Sequence, residues 1–467
     1  MQAYITRELT GQSPTTPLEL VQVSAFDEWL AGSQQSVQHW VRDTGFRPDP
    51  RQVLVLPGDT GEVARAVILV DVESLDEISI GDVDFVSGQL PPLSYRLTSQ
   101  LPFRSMNNLV TAWQLGSYSY TAYKDKSQTR PTASLLVDRD DVDLESILEL
   151  SRSVFFGRDL VNTPAEDMGP SQLASVCRKL AEQYGARLRE IAGNALRESG
   201  FQLIHAVGRA AQDPPRLLDL TWGREDAPKL TLVGKGVCFD TGGVLPKTFP
   251  GMRHMKADMG GAALALALAR QIMATGLAVR LRVLIPAVEN SIAGNAYRPG
   301  DVFTSRKGLT VEIAHPDAEG RLILADALSL ADEEKPELMI STATLTGAVI
   351  EGLGEEIAGF MTQSSDLVWE LQQTGLDTWD PVWPLPMWTP YKGLLKSEIA
   401  DLSHITEGYG GAGSITAALF LSQFVENAQD YIHVDFSGWN SRSDAGYLKG
   451  GNVLGLRALF RWLASRY

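Results

Sequence analysis

The stretch Leu309-Thr310-Val311-Glu312-Ile313-Ala314-His315-Pro316-Asp317-Ala318-Glu319-Gly320-Arg321-Leu322 decides how the second half of this chain folds. Residues 309–314 read as a strand that breaks at His315-Pro316, because proline lacks an amide donor. Residues 321–332 repeat apolar positions at helical spacing, and 338–342 return to strand. Upstream the same alternation appears. Residues 230–233 read as a buried strand, 259–275 as an Ala- and Leu-rich helix stopped at Gly276, and 279–285 as a strand. Strands alternating with helices predict an α/β fold with a mainly parallel central sheet flanked by helices. Ligands in such folds bind at the carboxyl ends of strands. Lys235, Asp240, Asp317, Glu319 and Thr344 each fall just past a predicted strand, which places one site at one edge of one sheet.

The residue types at that edge point to a cation. Asp317 and Glu319, two residues apart in a turn, can face one point, and two converging oxygens suit a divalent ion beside the fixed charge of Arg321. The plainer explanation of an isolated Asp-x-Glu is a helix start that gathers acids to complement its dipole. Gly234-Lys235-Gly236 is no phosphate loop, because Lys229 stands where the first glycine is needed and Gly236 where Ser or Thr is needed. Lys235 reads better as a ligand or an anchor for an anion, or as a surface lysine in a tight turn. Asp240-Thr241-Gly242-Gly243 is a strand-end acid on a glycine turn. Lys247 can reach the same cavity or stay solvated, and Asp258 can be a ligand or a helix cap. None of the histidines His39, His205, His254, His315, His404 and His433 has the spacing of a histidine zinc site, and no Gly-x-Ser-x-Gly elbow occurs. His433 reads as a core histidine and Cys177 as helix core. An oxygen-rich, carboxylate-bridged metal pair is what these residues can build.

Composition frames that reading. Of 467 residues, 44% are hydrophobic and 21% charged, as in an ordinary globular protein. The net charge of -16 argues against a nucleic-acid partner reached through bulk electrostatics. Cys177 and Cys238 cannot build a disulfide framework, no signal-peptide pattern opens the chain, and the apolar run 259–269 is too short to cross a bilayer. A cytoplasmic enzyme with no membrane contact is the expectation. Residues 52–56 and 66–70 read as strands of a first part. A polar tract, Lys124-Asp125-Lys126-Ser127-Gln128-Thr129-Arg130-Pro131, then leads to an acidic run over 138–145. We therefore expect a smaller N-terminal α/β domain over 1–140 and a catalytic domain over 141–467, entered by a helix at 147–160.

The ordered motifs carry a resemblance. They are Arg158-Asp159-Leu160-Val161-Asn162-Thr163-Pro164, Val233-Gly234-Lys235-Gly236, Phe239-Asp240-Thr241-Gly242-Gly243 and Asn295-Ala296-Tyr297-Arg298-Pro299-Gly300-Asp301. They continue with Asp317-Ala318-Glu319-Gly320-Arg321-Leu322, Ala343-Thr344-Leu345-Thr346-Gly347-Ala348 and Gly413-Ser414-Ile415-Thr416-Ala417-Ala418. From about Gly157 onward the chain resembles the leucyl aminopeptidase (cytosol aminopeptidase) family of two-metal exopeptidases. The resemblance implies hydrolysis of N-terminal residues from peptides with a free N-terminus, through a water or hydroxide bridging two divalent metals. Mn²⁺ or Zn²⁺ fit first, with Mg²⁺ or Co²⁺ as further options. It makes Lys235, Asp240, Asp258 and Glu319 ligands of one metal, and Asp240, Asp317 and Glu319 ligands of the other. Lys247 matches the lysine that steadies the tetrahedral intermediate, and Arg321 the arginine that holds a bicarbonate ion. Met255, Thr344, Leu345 and Gly347 match substrate-lining positions, and a homohexamer is implied. His315-Pro316 departs from the usual Asn-Thr, from which a different substrate preference and an imidazole pH dependence are expected. Leu245-Pro246 and Gly450-Gly451-Asn452 depart as well. A two-metal phosphoesterase and a non-catalytic scaffold that kept the fold are the alternative readings.

Overall fold

A computed structural model describes residues 3–7, 15–125, 132–406, 410–443 and 446–467. Most of the polar tract at 124–131 lies outside them. The chain divides into two compact units, Met1–Phe155 with Arg442–Leu448 and Phe156–Ser441 with Lys449–Tyr467. The helix Leu144–Asn162 runs through the point of division. It starts earlier than 147 because Asp143 accepts the Ser146 amide at 3.0 Å and its hydroxyl at 2.7 Å, satisfying the first turn.

In the first unit, the strands run Ile5–Thr6, Ser134–Leu136, Ser94–Leu97, Thr16–Gln22, Val63–Val70 and Gln52–Pro57 across one sheet. Only the Gln52–Pro57 edge pairs antiparallel. Helix Phe103–Gly116 buries Trp113 beside Tyr95, and the Trp113 indole donates to the Ala133 carbonyl at 3.1 Å. This unit is α/β, as expected of the N-terminal part.

The second unit is built on a larger sheet. Its four central strands, Arg280–Asn290, Lys229–Gly234, Leu338–Ala343 and Asp430–Asp435, pair in parallel. Arg216–Trp222 and Ala358–Thr362 flank them antiparallel, with Arg187–Ala192 and Val382–Pro384 outermost. The central strands read as near-continuous apolar runs because helices cover both faces. Helices Gly260–Thr275 and Glu319–Asp332 both pack on them. The first comes very close. A Cβ on Gly261 would stand 2.2 Å from the Thr342 carbonyl oxygen, so only glycine allows this approach.

Two sequence expectations change. The strand expected to stop at 285 continues as Arg280–Asn290 through Pro286. There the strand changes partner: Val233 pairs with Leu284, and Gly236 with Ala287. Pro286 stands between those two pairings and stays opposite Leu217 on the other side of the strand. Lys235 occupies the same break. The second change concerns the quoted stretch. Its strand shortens to Thr310–Glu312 and leaves the central sheet, pairing instead with Val302–Thr304 and Leu402–Ser403. Asp317 and Glu319 therefore do not extend from the edge of the central sheet. A separate small sheet and the helix Glu319–Asp332 bring them to it.

Candidate metal centre

Lys235 leaves the strand break with its amide donating to the Thr342 carbonyl at 3.0 Å. Its buried Nζ lies 2.6 Å from Asp258 Oδ1 and 3.0 Å from Glu319 Oε1, and donates to the Thr344 carbonyl at 2.8 Å. Asp258 comes from the short turn Met255–Met259 that precedes helix Gly260–Thr275, with Met255 opening the turn. Asp240 ends the strand Gly236–Asp240. Lys247, half-buried on the following loop, sits 2.9 Å from Asp240 Oδ2 and also pairs with Asp317. Glu319 is the first residue of its helix, so the helix N-terminus favours its negative charge. Gly320 follows it, and a Cβ there would lie 2.5 Å from Lys235 Cε. Glycine is what lets the lysine pass.

All six predicted ligand and lysine positions thus meet in one network. The remaining positions lie around it. Thr344 and Leu345 follow the strand Leu338–Ala343, and Thr344 Oγ1 donates to Asp258 Oδ1 at 3.0 Å. Gly347 begins the helix Gly347–Leu353. Arg321 is buried two residues beyond Glu319 and donates to the His404 carbonyl at 2.8 Å, while its Nε has no hydrogen-bond partner.

The electrostatics follow from crowding. Carboxylate oxygens of Asp240, Asp317 and Glu319 lie within 4.8 Å of one another. Burial raises the Asp317 carboxyl above its usual range. Burial opposes the charge on Lys235, but Asp258, Glu319 and Asp240 outweigh it and hold the ammonium well above its ordinary pKa. Lys247 is held up the same way by Asp240 and Asp317. Burial lowers Arg321 to about 10, against the pull of Asp435 and Glu319. Among the described residues this is a concentrated cation site, and the donor set fits divalent metal. Oδ2 of Asp258 and Oε2 of Glu319 are buried with no hydrogen-bond partner, as oxygens reserved for an ion would be.

Known proteins are similar to this chain. Residues 155–460 match the cytosol aminopeptidase family catalytic domain, and 16–137 match the M17 aminopeptidase N-terminal domain. The chain belongs to the cytosol aminopeptidase family. It is a hydrolase of the metallopeptidase class, an exopeptidase. It is 37% identical over 423 residues to a probable cytosol aminopeptidase of Xanthomonas oryzae pv. oryzae (strain MAFF 311018), covering 89% of this chain and 85% of that one. A counterpart in Xanthomonas axonopodis pv. citri (strain 306) is 40% identical over 367 residues, covering 78% and 74%. The crystal structure of cytosol aminopeptidase from Coxiella burnetii superposes with a TM-score of 0.91 at 40% identity, covering 99% of each chain. The bottromycin maturation enzyme BotP, solved in complex with Mn, superposes with a TM-score of 0.83 at 29% identity, covering 97% of this chain and 99% of that one.

Sequence reading missed the residues that hold this family site from behind. Asn290 donates through Nδ2 to Asp240 Oδ1 at 2.7 Å and to the Pro316 carbonyl at 3.0 Å. The Tyr297 hydroxyl donates to that same carbonyl. Asp435 accepts the Leu345 amide at 2.8 Å and the Thr346 hydroxyl at 2.6 Å, and burial raises it to about 6. Asp435 was findable, because it is a strand-end acid in register with Ala343. His315 accepts the Asp317 amide on Nδ1 at 3.2 Å and so caps the turn Pro316–Ala318, the task a short amide side chain performs at a helix start. The geometry of Gly320 gives a direct test. Gly320→Ala displaces Lys235 and is expected to lower kcat/KM about 100-fold with the circular dichroism spectrum unchanged. Wild-type kinetics in this variant would remove the need for a close approach.

Proposed function

We propose that this chain is an aminopeptidase whose Lys235, Asp240, Asp258, Asp317 and Glu319 hold two divalent ions, Mn²⁺ or Zn²⁺ in preference to Mg²⁺ or Co²⁺. The observation that carries this reading is the meeting of Asp240, Asp317 and Glu319 within 4.8 Å. Such a pair of ions would supply Lewis-acid chemistry and a water acidic enough to act as a nucleophile at neutral pH. The protein's own contribution is charge and alignment. The Lys235 and Lys247 ammoniums carry the balancing positive charge in the ion-free chain, and Lys235 would hold an ion only as the neutral amine. Lys247 then remains to offset negative charge growing on the substrate oxygen. Arg321, with one guanidinium nitrogen free of partners, would hold a bicarbonate ion, which would supply a general base there. Met255, Thr344, Leu345 and Gly347 line the N-terminal residue of the peptide, whose free amine is the group that binds the acidic cluster.

The domain division near 140, cytoplasmic location and a homohexamer complete the reading. No helix among the described residues is long and apolar enough to cross a membrane. The net charge of -16 argues against a nucleic-acid partner reached through bulk electrostatics.

Dialysis against a chelator should abolish hydrolysis of a leucyl anilide, and Mn²⁺ or Zn²⁺ should restore it with about two ions per chain by elemental analysis. Turnover that survives metal removal, or restored turnover of a phosphate ester instead, overturns the reading. Lys247→Ala should reduce kcat about 100-fold with little change in KM, because its charge acts on the transition state. A raised KM at constant kcat would make Lys247 a binding residue. Light scattering should return six times the chain mass of 50.9 kDa; a single chain mass refutes the hexamer.

A further inference from the structure

His404 is fully buried and takes no part in the chemistry, yet it touches three pieces of the site. Its Nε2 lies 2.9 Å from the His315 carbonyl, and the Ala314 amide donates to its Nδ1 at 3.2 Å. Nδ1 also lies 3.1 Å from the Glu312 carbonyl. A carbonyl can only accept, so the Nε2 that faces His315 carries a proton, while Nδ1 stands between the Ala314 amide donor and the Glu312 acceptor. The ring is held neutral, its pKa pushed down to about 3 by burial and by the Arg321 charge. The third contact is made by the backbone, whose carbonyl accepts Arg321 Nη1 at 2.8 Å.

Residues 314–316 are therefore gripped on successive peptide groups. His404 takes the Ala314 amide and the His315 carbonyl, and Asn290 and Tyr297 take the Pro316 carbonyl. The turn so fixed carries Asp317 and then Glu319. His404 itself follows Leu402–Ser403, the strand that pairs in parallel with Thr310–Glu312. The small sheet that leaves the central one thus delivers one residue whose ring faces the ligand turn and whose carbonyl, seated by that ring, holds the guanidinium.

We propose that His404 is a positioning residue that sets the Asp317–Glu319 turn and the Arg321 guanidinium in register, so that metal affinity and response to an oxyanion depend on one imidazole. The proposal rests on the metallopeptidase reading above. Partners behind metal ligands typically alter affinity by about 10–100-fold when removed.

The test compares His404→Gln with His404→Asn and His404→Leu in the full chain. Glutamine places an N–H near the position of Nε2 and reaches the His315 carbonyl; asparagine is one methylene short, and leucine keeps volume without polarity. Three measurements follow for each: Mn²⁺ affinity by equilibrium dialysis with elemental analysis, kcat and KM for a leucyl anilide with and without bicarbonate, and melting of the metal-free protein. The Gln variant is expected to stay within about threefold of wild type in Mn²⁺ affinity and to keep its bicarbonate stimulation. The Asn and Leu variants should bind Mn²⁺ at least tenfold more weakly, lose the stimulation, and lose kcat more than KM. If the Leu variant does not fold, the Gln and Asn pair decides. Equal Mn²⁺ affinity and equal bicarbonate response in folded Gln and Asn variants overturn the proposal, as does a deficit that only follows the melting temperature. Wild-type protein that binds no Mn²⁺ overturns the metallopeptidase reading and this proposal together. Wild-type binding with insensitive variants overturns the proposal alone.

Discussion

Crowding of like charge is the constraint on which the rest of this structure depends. Asp240, Asp258 and Glu319 are buried and Asp317 is half-buried, all drawn to the Lys235 and Lys247 ammoniums. An isolated buried carboxylate costs several kcal/mol, so a cluster of them persists only where cations or ligand-seeking geometry compensate. Here the two lysines supply that charge, and two oxygens stay unpaired. The arrangement is unfavourable for a structural core and suitable for binding a dication.

The fold answers this constraint with breaks and close approaches. The gap between Lys229–Gly234 and Gly236–Asp240 turns Lys235 out of the ladder toward Asp258 and Glu319. Gly261 lets a helix settle against Thr342, and Gly320 leaves room for the Lys235 stem. Each feature weakens regular structure locally. The long apolar strands Arg280–Asn290 and Leu338–Ala343 and the helices on them give the rigidity that holds those local departures in place.

A second layer of hydrogen bonds converts that rigidity into alignment. Asn290 ties Asp240 to Pro316, Asp435 ties the chain at Leu345 and Thr346, and His404 ties the 314–315 backbone to the Arg321 region. His315 suits its place in these terms, because imidazole Nδ1 accepts the capping amide of Asp317. Pro316 costs nothing there, since its carbonyl, and not an amide, is the group its neighbours use.

The sequence by itself determined the elements, the α/β class and the residue types at the centre. Those are local properties: the helical spacing of 321–332, the stop at Gly276, the apolar runs at 230–233 and 338–342, and a strand-end acid at Asp240. The ordered motifs then carried the family. Only the tertiary structure decided that Thr310–Glu312 pairs outside the central sheet and that Arg280–Asn290 passes through Pro286 to a second partner. It alone joined Lys235 to Asp258 across 23 residues, Asn290 to Asp240 across 50, Arg321 to His404 across 83 and Leu345 to Asp435 across 90. Such pairs have no period and no common local signal. They arise where separate strands end side by side, and strand order is set by packing of the whole sheet.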